Sequence, residues 1–168
     1  RQMVLQGDPG IEQLIRNDLT RSLAIAMDLA VLNGSGSSGQ PTGILQTSGI
    51  GSVAMGTNGG AVTLDAMVDL EREVAIDNAL TGTPQYLTNP KVVAGLKKLK
   101  DTAGAYLYNV DLQARGRGAT PGVINGYGIT GSTNVPSNLT KGSGSNLSAV
   151  LFGDFSSCMV GVWGCPCR

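Results

Sequence analysis

Residues 9–33 carry apolar side chains at helical spacing for seven turns, and no other segment constrains the chain as strongly. Asp8 can cap the start and Pro9 suits the first helical position. Ile11, Leu14, Ile15, Leu19, Leu23, Ala26, Met27 and Ala30 then recur three and four residues apart. Asn33-Gly34 is the stop signal, since glycine readily takes the left-handed conformation that ends a helix. The rod would be about 37 Å long at ~1.5 Å per residue. Leu29, Val31 and Leu32 make its second half apolar nearly all round, which predicts burial on more than one side. In a chain of 168 residues such a helix is a spine, with one domain or little more to build around it.

The composition says what surrounds that rod. The chain is 41% hydrophobic and 14% charged, where about a quarter is usual, so its surface is either rich in small polar residues or covered by partners. With 25 glycines both readings hold. Twelve basic and 12 acidic residues cancel, which removes the basic excess that drives nucleic-acid binding and the self-repulsion that keeps monomers apart. There is no histidine, so Ser-His and Cys-His nucleophiles, histidine-ligated zinc and imidazole proton relays are excluded. Cys158, Cys165 and Cys167 are an odd set near one end, unlike a disulfide framework, and lack a fourth metal ligand. The longest apolar stretch, Leu23 to Leu32, is too short to span a bilayer and is broken by Asp28, and no signal peptide is visible. The reading is a soluble protein with no membrane partner.

Gly34 to Gly60 reads as loops with short strands, because Ile44, Leu45, Ile50, Val53 and Met55 need somewhere to pack. A second helix is predicted from about Leu64 to Ala79, capped by Thr63, with Met67, Leu70 and Val74 inward. Gln85–Thr88 reads as a strand. Asn89-Pro90 starts a third helix with Val93, Leu96 and Leu99 inward, and Lys97, Lys98 and Lys100 in its last turn, where the dipole favours cations. Tyr106–Tyr108, Val123–Thr130, Ala149–Phe155 and Met159–Trp163 are candidate strands between turn-rich segments. This order predicts an α+β fold, with no internal repeat.

Few motifs carry chemistry. Gly34-Ser-Gly36-Ser-Ser-Gly39 matches the dinucleotide fingerprint but follows a helix and leads into a loop, the wrong context for holding a pyrophosphate. No Walker loop or nucleophile elbow is present, so no cofactor, no metal and no catalysis are expected. The Asn-x-Ser/Thr triplets at Asn33, Asn138 and Asn146 are chance matches in such a composition.

Asp65, Asp69, Glu73 and Asp77 fall four residues apart and line one face of the second helix. A helix face splays carboxylates and gives no cage for a cation. The stripe is either a solvated face or a charge-complementary contact with another subunit. Positive charge for such a contact lies at Lys91, Lys97, Lys98, Lys100, Arg115 and Arg117. The candidate subunit-contact residues are therefore Asp65, Asp69, Glu73, Asp77, Arg115 and Arg117.

Several segments resemble, in order, the major capsid proteins of tailed phages, with their Hong Kong 97-type shell fold. They are Arg1-Gln-Met with Gly-Asp-Pro-Gly-Ile-Glu before the long helix, and Leu32-Asn-Gly-Ser-Gly36 leading to Gln40-Pro-Thr-Gly-Ile-Leu45. Tyr86-Leu-Thr-Asn-Pro90, Leu99-Lys-Asp101 through Gly104-Ala-Tyr-Leu107, Ile124-Asn-Gly-Tyr-Gly128 and Leu151-Phe-Gly-Asp-Phe155 complete the set. The resemblance implies a peripheral domain with the spine helix over 1–47 and an axial domain over 48–155. Residues 156–168 would start a truncated return to the peripheral domain. Arg115 and Arg117 would lie near the capsomer axis. It also implies copies joined as hexamers and pentamers in an icosahedral shell around DNA, with scaffold or portal proteins as further partners. The location would be the virion, and the host cytoplasm before assembly. The family's N-terminal arm, extended loop and final segment have no counterpart here, so a truncated or processed piece is expected. The main alternative is a subunit of an encapsulin-like cellular nanocompartment. A β-rich carbohydrate- or surface-binding module comes third, and an enzyme last.

Overall fold

The computed structural model describes residues 9–106 and 122–161. The chain divides into two compact units with the boundary between Ser48 and Gly49.

The first unit is dominated by α1, Pro9–Asn33, which has the bounds its apolar spacing predicts. Its polar side is laced by local pairs: Arg16 binds Glu12 at 2.6 Å, and the Gln13 amide donates to Asn17. The exit from α1 corrects the expectation for Gly34, which is not left-handed; the positive φ values come later, at Gly36, Ser38 and Gly39. Gly34 is needed because two backbones meet there. A Cβ on Gly34 would lie 2.2 Å from the Pro41 carbonyl oxygen and 2.4 Å from that of Ala30. One on Gly43 would lie 2.4 Å from the Gly34 nitrogen. The Gly34 amide bonds to the Ala30 carbonyl and the Gly43 amide to the Gly34 carbonyl, both at 2.9 Å. A 3-10 turn, Ile44–Gln46, follows, and the Gln46 side chain donates to Asn33 at 3.0 Å. Apart from an isolated bridge between Ser35 and Thr42, the strands expected between Gly34 and Gly60 do not form.

The expected burial of α1 is not met within the described residues. Leu32 is its buried large apolar residue, while Leu14, Leu19 and Leu23 are 62–69% exposed and Ile11, Ile15, Ile25, Met27 and Leu29 40–46%.

The second unit has a real interior. α2, Leu64–Ile76, starts where Thr63 Oγ1 accepts from the Ala66 amide, and stops three residues before the expected Ala79, with Asn78 left-handed at φ 52°. α3, Pro90–Lys97, is capped by Asn89, whose Oδ1 accepts from the Lys91 amide. It ends before Leu99, so Lys98 is the C-cap and Lys100 lies beyond the last turn where all three lysines were expected. The sheet runs in the order β2-β3-β1-β6, with β1 Gln85–Thr88, β2 Val123–Ile124, β3 Tyr127–Gly131 and β6 Val150–Gly153. β1 pairs parallel with β3 and antiparallel with β6. Ile129, Tyr86 and Phe152 stand side by side across it and share one face. Met67 of α2 and Leu96 of α3 pack on that face with Ile124, forming a helix layer over a sheet layer. Tyr86 is fully buried, donates its hydroxyl to the Met67 carbonyl at 3.1 Å, and lies 4.4 Å from the Phe152 ring centroid.

The single strand expected over Val123–Thr130 is two strands, because Asn125 and Gly126 have φ of 51° and 84° and turn the chain in a two-residue hairpin. A second hairpin, β4 Leu139–Lys141 and β5 Gly144–Leu147, falls where only turns were expected. It is held by Asn58, whose side-chain oxygen accepts from the Ser143 amide at 3.1 Å. Ala149–Phe155 contributes a strand only over Val150–Gly153. Of Met159–Trp163, residues 159–161 form no strand and the rest lie outside the described residues. Tyr106 makes an isolated bridge to Lys100, and 107–108 also lie outside them.

β6 is tied off by Asp154. Its carboxylate accepts from the Ser156 hydroxyl at 2.7 Å, the Ser156 amide at 3.0 Å and the Ser157 hydroxyl at 3.2 Å. These bonds, the Ser156 hydroxyl first, with a backbone bond from Thr83, hold its pKa below the usual carboxylate value. A pKa lower in the folded than in the unfolded chain stabilises above the unfolded value, and that gain is lost as pH falls through the folded one. Asp154→Ala is therefore expected to lower the melting temperature at neutral pH. The difference should shrink as pH falls through the carboxylate range, which thermal unfolding at a series of pH values will measure.

Candidate subunit-contact surface

α2 buries Met67 toward the sheet, with Leu70 and Val74 half-buried on the same side. At 100° per residue the opposite side carries Asp65, Val68, Asp69, Arg72 and Ile76. Val68 is 48% and Ile76 64% exposed. Four carboxylates and one guanidinium give α2 a net charge of −3.

The acid stripe is partly neutralised within the chain. Arg72 reaches Asp69 at 3.3 Å and Glu73 at 2.9 Å, and these two carboxylates raise its pKa, the Glu73 hydrogen bond foremost. Glu73 is the less exposed of the two, its Cβ against Gly51. Asp77 lies past the helix as its C-cap, so the stripe expected to be continuous is helical only through Glu73. Among the described residues Asp65 and Asp77 have no ion-pair partner. Glu71 is turned differently and accepts from the Tyr127 hydroxyl at 3.3 Å.

The basic residues divide in the same way. Lys91 is engaged with the Asn146 carbonyl. Lys97 and Lys98 are exposed and have no partner among the described residues. The Lys100 ammonium stands 4.6 Å over the ring of Tyr106, which is 64% exposed. Arg115 and Arg117 lie outside the described residues, as do Cys165 and Cys167. Cys158 is an exposed free thiol, and no cluster of metal-ligating side chains exists among the described residues. Val68 and Ile76 escape a reading that follows charge alone, although their spacing from Asp65 and Asp69 places them on the same side.

A model of the phage capsid family matches residues 2–164. The chain belongs to the phage capsid family. It is 27% identical over 167 residues to the major capsid protein of Halomonas phage phiHAP-1, an alignment covering 98% of this chain and 24% of that one. Among solved structures it matches capsid chains of gene transfer agent (GTA) particles. The match to the native particle has a TM-score of 0.62 at 22% identity, and that to the empty particle 0.63 at 23%. Each covers 92% of this chain and 52% of the other. The chain thus spans about a quarter of the curated relative and about half of the solved capsid chains, and its α+β fold is of the phage capsid type.

Proposed function

We propose that this chain is a structural subunit of a phage or prophage capsid, acting without catalysis through contacts between copies of itself in a closed icosahedral shell of hexamers and pentamers. The observation that carries the reading is the family match over residues 2–164, on a fold shared with capsid chains. The exposed apolar side of α1 supports it, because a surface of that kind is normally covered by a neighbour. In this reading residues 1–47 belong to a peripheral domain, 48–155 form the axial domain, and 156–168 begin the return. The boundary between the two units, one residue from this division, supports it. DNA is enclosed without being read, which suits a net charge of zero. Scaffold or portal proteins are further partners, and the protein passes from the host cytoplasm into the virion.

Electron microscopy of the intact gene product tests this. DNA-filled closed shells are expected. Shells filled with protein cargo would favour the nanocompartment, a reading that the capsid relatives do not support, and dispersed monomers would exclude both.

A further inference from the structure

The outward side of α2 carries the exposed Val68 beside Asp65, which has no ion-pair partner among the described residues, and the partly paired Asp69; Ile76 lies two turns further on, past Arg72. A solvated helix face has no need of a half-exposed valine and a largely exposed isoleucine. The segment after α3 offers the matching features in the opposite sign. Among the described residues Lys97 and Lys98 have no partner, and Lys100 is stacked over the exposed ring of Tyr106. Asp101, the nearest carboxylate in sequence, is occupied in its own turn, accepting from the Ala103 and Ala105 amides. The two surfaces therefore complement each other twice, apolar to apolar and acid to base. Among the described residues no ion pair joins them within one copy.

We infer that the outward side of α2 docks against the Lys97–Tyr106 segment of a second copy of this chain, with Tyr106 covering Val68 and the lysines facing Asp65 and Asp69. This rests on the capsid reading and names the partner surface within it. The contact is head-to-tail. A twofold contact of α2 with α2 would set carboxylates against carboxylates, and one of the lysine ends would set ammonium against ammonium; both are repulsive. Joining unlike surfaces leaves the pair with one of each still free, so the contact propagates until a ring satisfies every copy or continues as an open chain.

Two charge-reversed variants test it. Asp65→Lys with Asp69→Lys makes α2 basic, and Lys97→Glu with Lys98→Glu makes the α3 end acidic. Sedimentation velocity at low ionic strength reads self-association, and circular dichroism confirms that each variant keeps the parent fold. The parent should associate, and less so in high salt. Each variant alone should associate at least about tenfold more weakly. An equimolar mixture should recover, since alternating copies again present unlike charges at every contact, and the chain carrying all four substitutions should recover by itself. A twofold contact between α2 faces would instead be strengthened by pairing the Asp65→Lys, Asp69→Lys chain with the parent. That result, a folded variant that associates like the parent, or a parent that stays monomeric overturns the inference. Shells of the intact product that tolerate the reversals would overturn this contact and leave the capsid reading standing. Absence of shells from the unaltered product would sink that reading whatever the variants do.

Discussion

Tyr86→Ala is expected to cost the second unit about 4 kcal/mol, the range for emptying a large aromatic site in a packed core. The ring is fully buried at the middle of the sheet, against Phe152 at 4.4 Å and edge-on to Tyr127 at 6.3 Å, with Met67 over it. Backbone on both sides fixes these neighbours, because β1 is hydrogen-bonded to β3 and β6, so the cavity has little room to collapse. Tyr86→Phe keeps the ring and removes the hydroxyl, with its donation to the Met67 carbonyl and its hydrogen bond with the Asn125 side chain, and should cost about 1–2 kcal/mol. Burial raises the Tyr86 pKa, so the hydroxyl stays protonated and donating across the neutral range. Urea unfolding followed by circular dichroism separates the two. An alanine variant within about 1 kcal/mol of the parent would show that Tyr86 does not organise this core.

The second large effect is expected at the exit of α1. Gly34→Ala should cost about 3 kcal/mol locally, because its methyl group would meet two carbonyl oxygens that the backbone holds in place. Gly43→Ala should behave alike, since its Cβ would fall on the Gly34 and Asn33 nitrogens. Gly39 is the control. It has φ of 81° but nothing within 4 Å of a Cβ, so alanine there pays only the conformational penalty, about 1 kcal/mol. Hydrogen exchange of the Gly34 and Gly43 amides measures the difference. Equal protection in the Gly34→Ala and Gly39→Ala chains would mean that the backbone crossing is not the constraint.

How far these features are legible in the sequence depends on the range of the interaction that makes them. α1 and the start of α3 are local: apolar spacing, an asparagine cap and a first-turn proline fix them without reference to the rest of the chain. The hairpin at Asn125-Gly126 is equally local, and that dipeptide marks a turn within the single strand expected over Val123–Thr130. The β4–β5 hairpin carries a turn dipeptide too, Gly142-Ser143 with Gly142 at φ 57°, but Leu-Thr-Lys and Gly-Ser-Asn-Leu do not alternate, and its brace is Asn58, 85 residues from Ser143. Parallel pairing of β1 with β3 is likewise a matter of tertiary context. At the contact surface, the four-residue spacing of the acids is visible in the chain. What spacing alone does not give is that Arg72 turns toward Asp69 and Glu73, or that Asp77 leaves the helix.

The uncovered side of α1 bears on how the proposed particle would come apart. Among the described residues Leu32 is the one large side chain the rod buries, and Leu14, Leu19 and Leu23 face water. In the proposed shell a neighbour would shelter that side, so pulling subunits away would return that apolar surface to water. Disassembly would then release chains prone to stick to one another, and a finished shell would outlast its own free monomers through a kinetic barrier more than through the stability of any one copy.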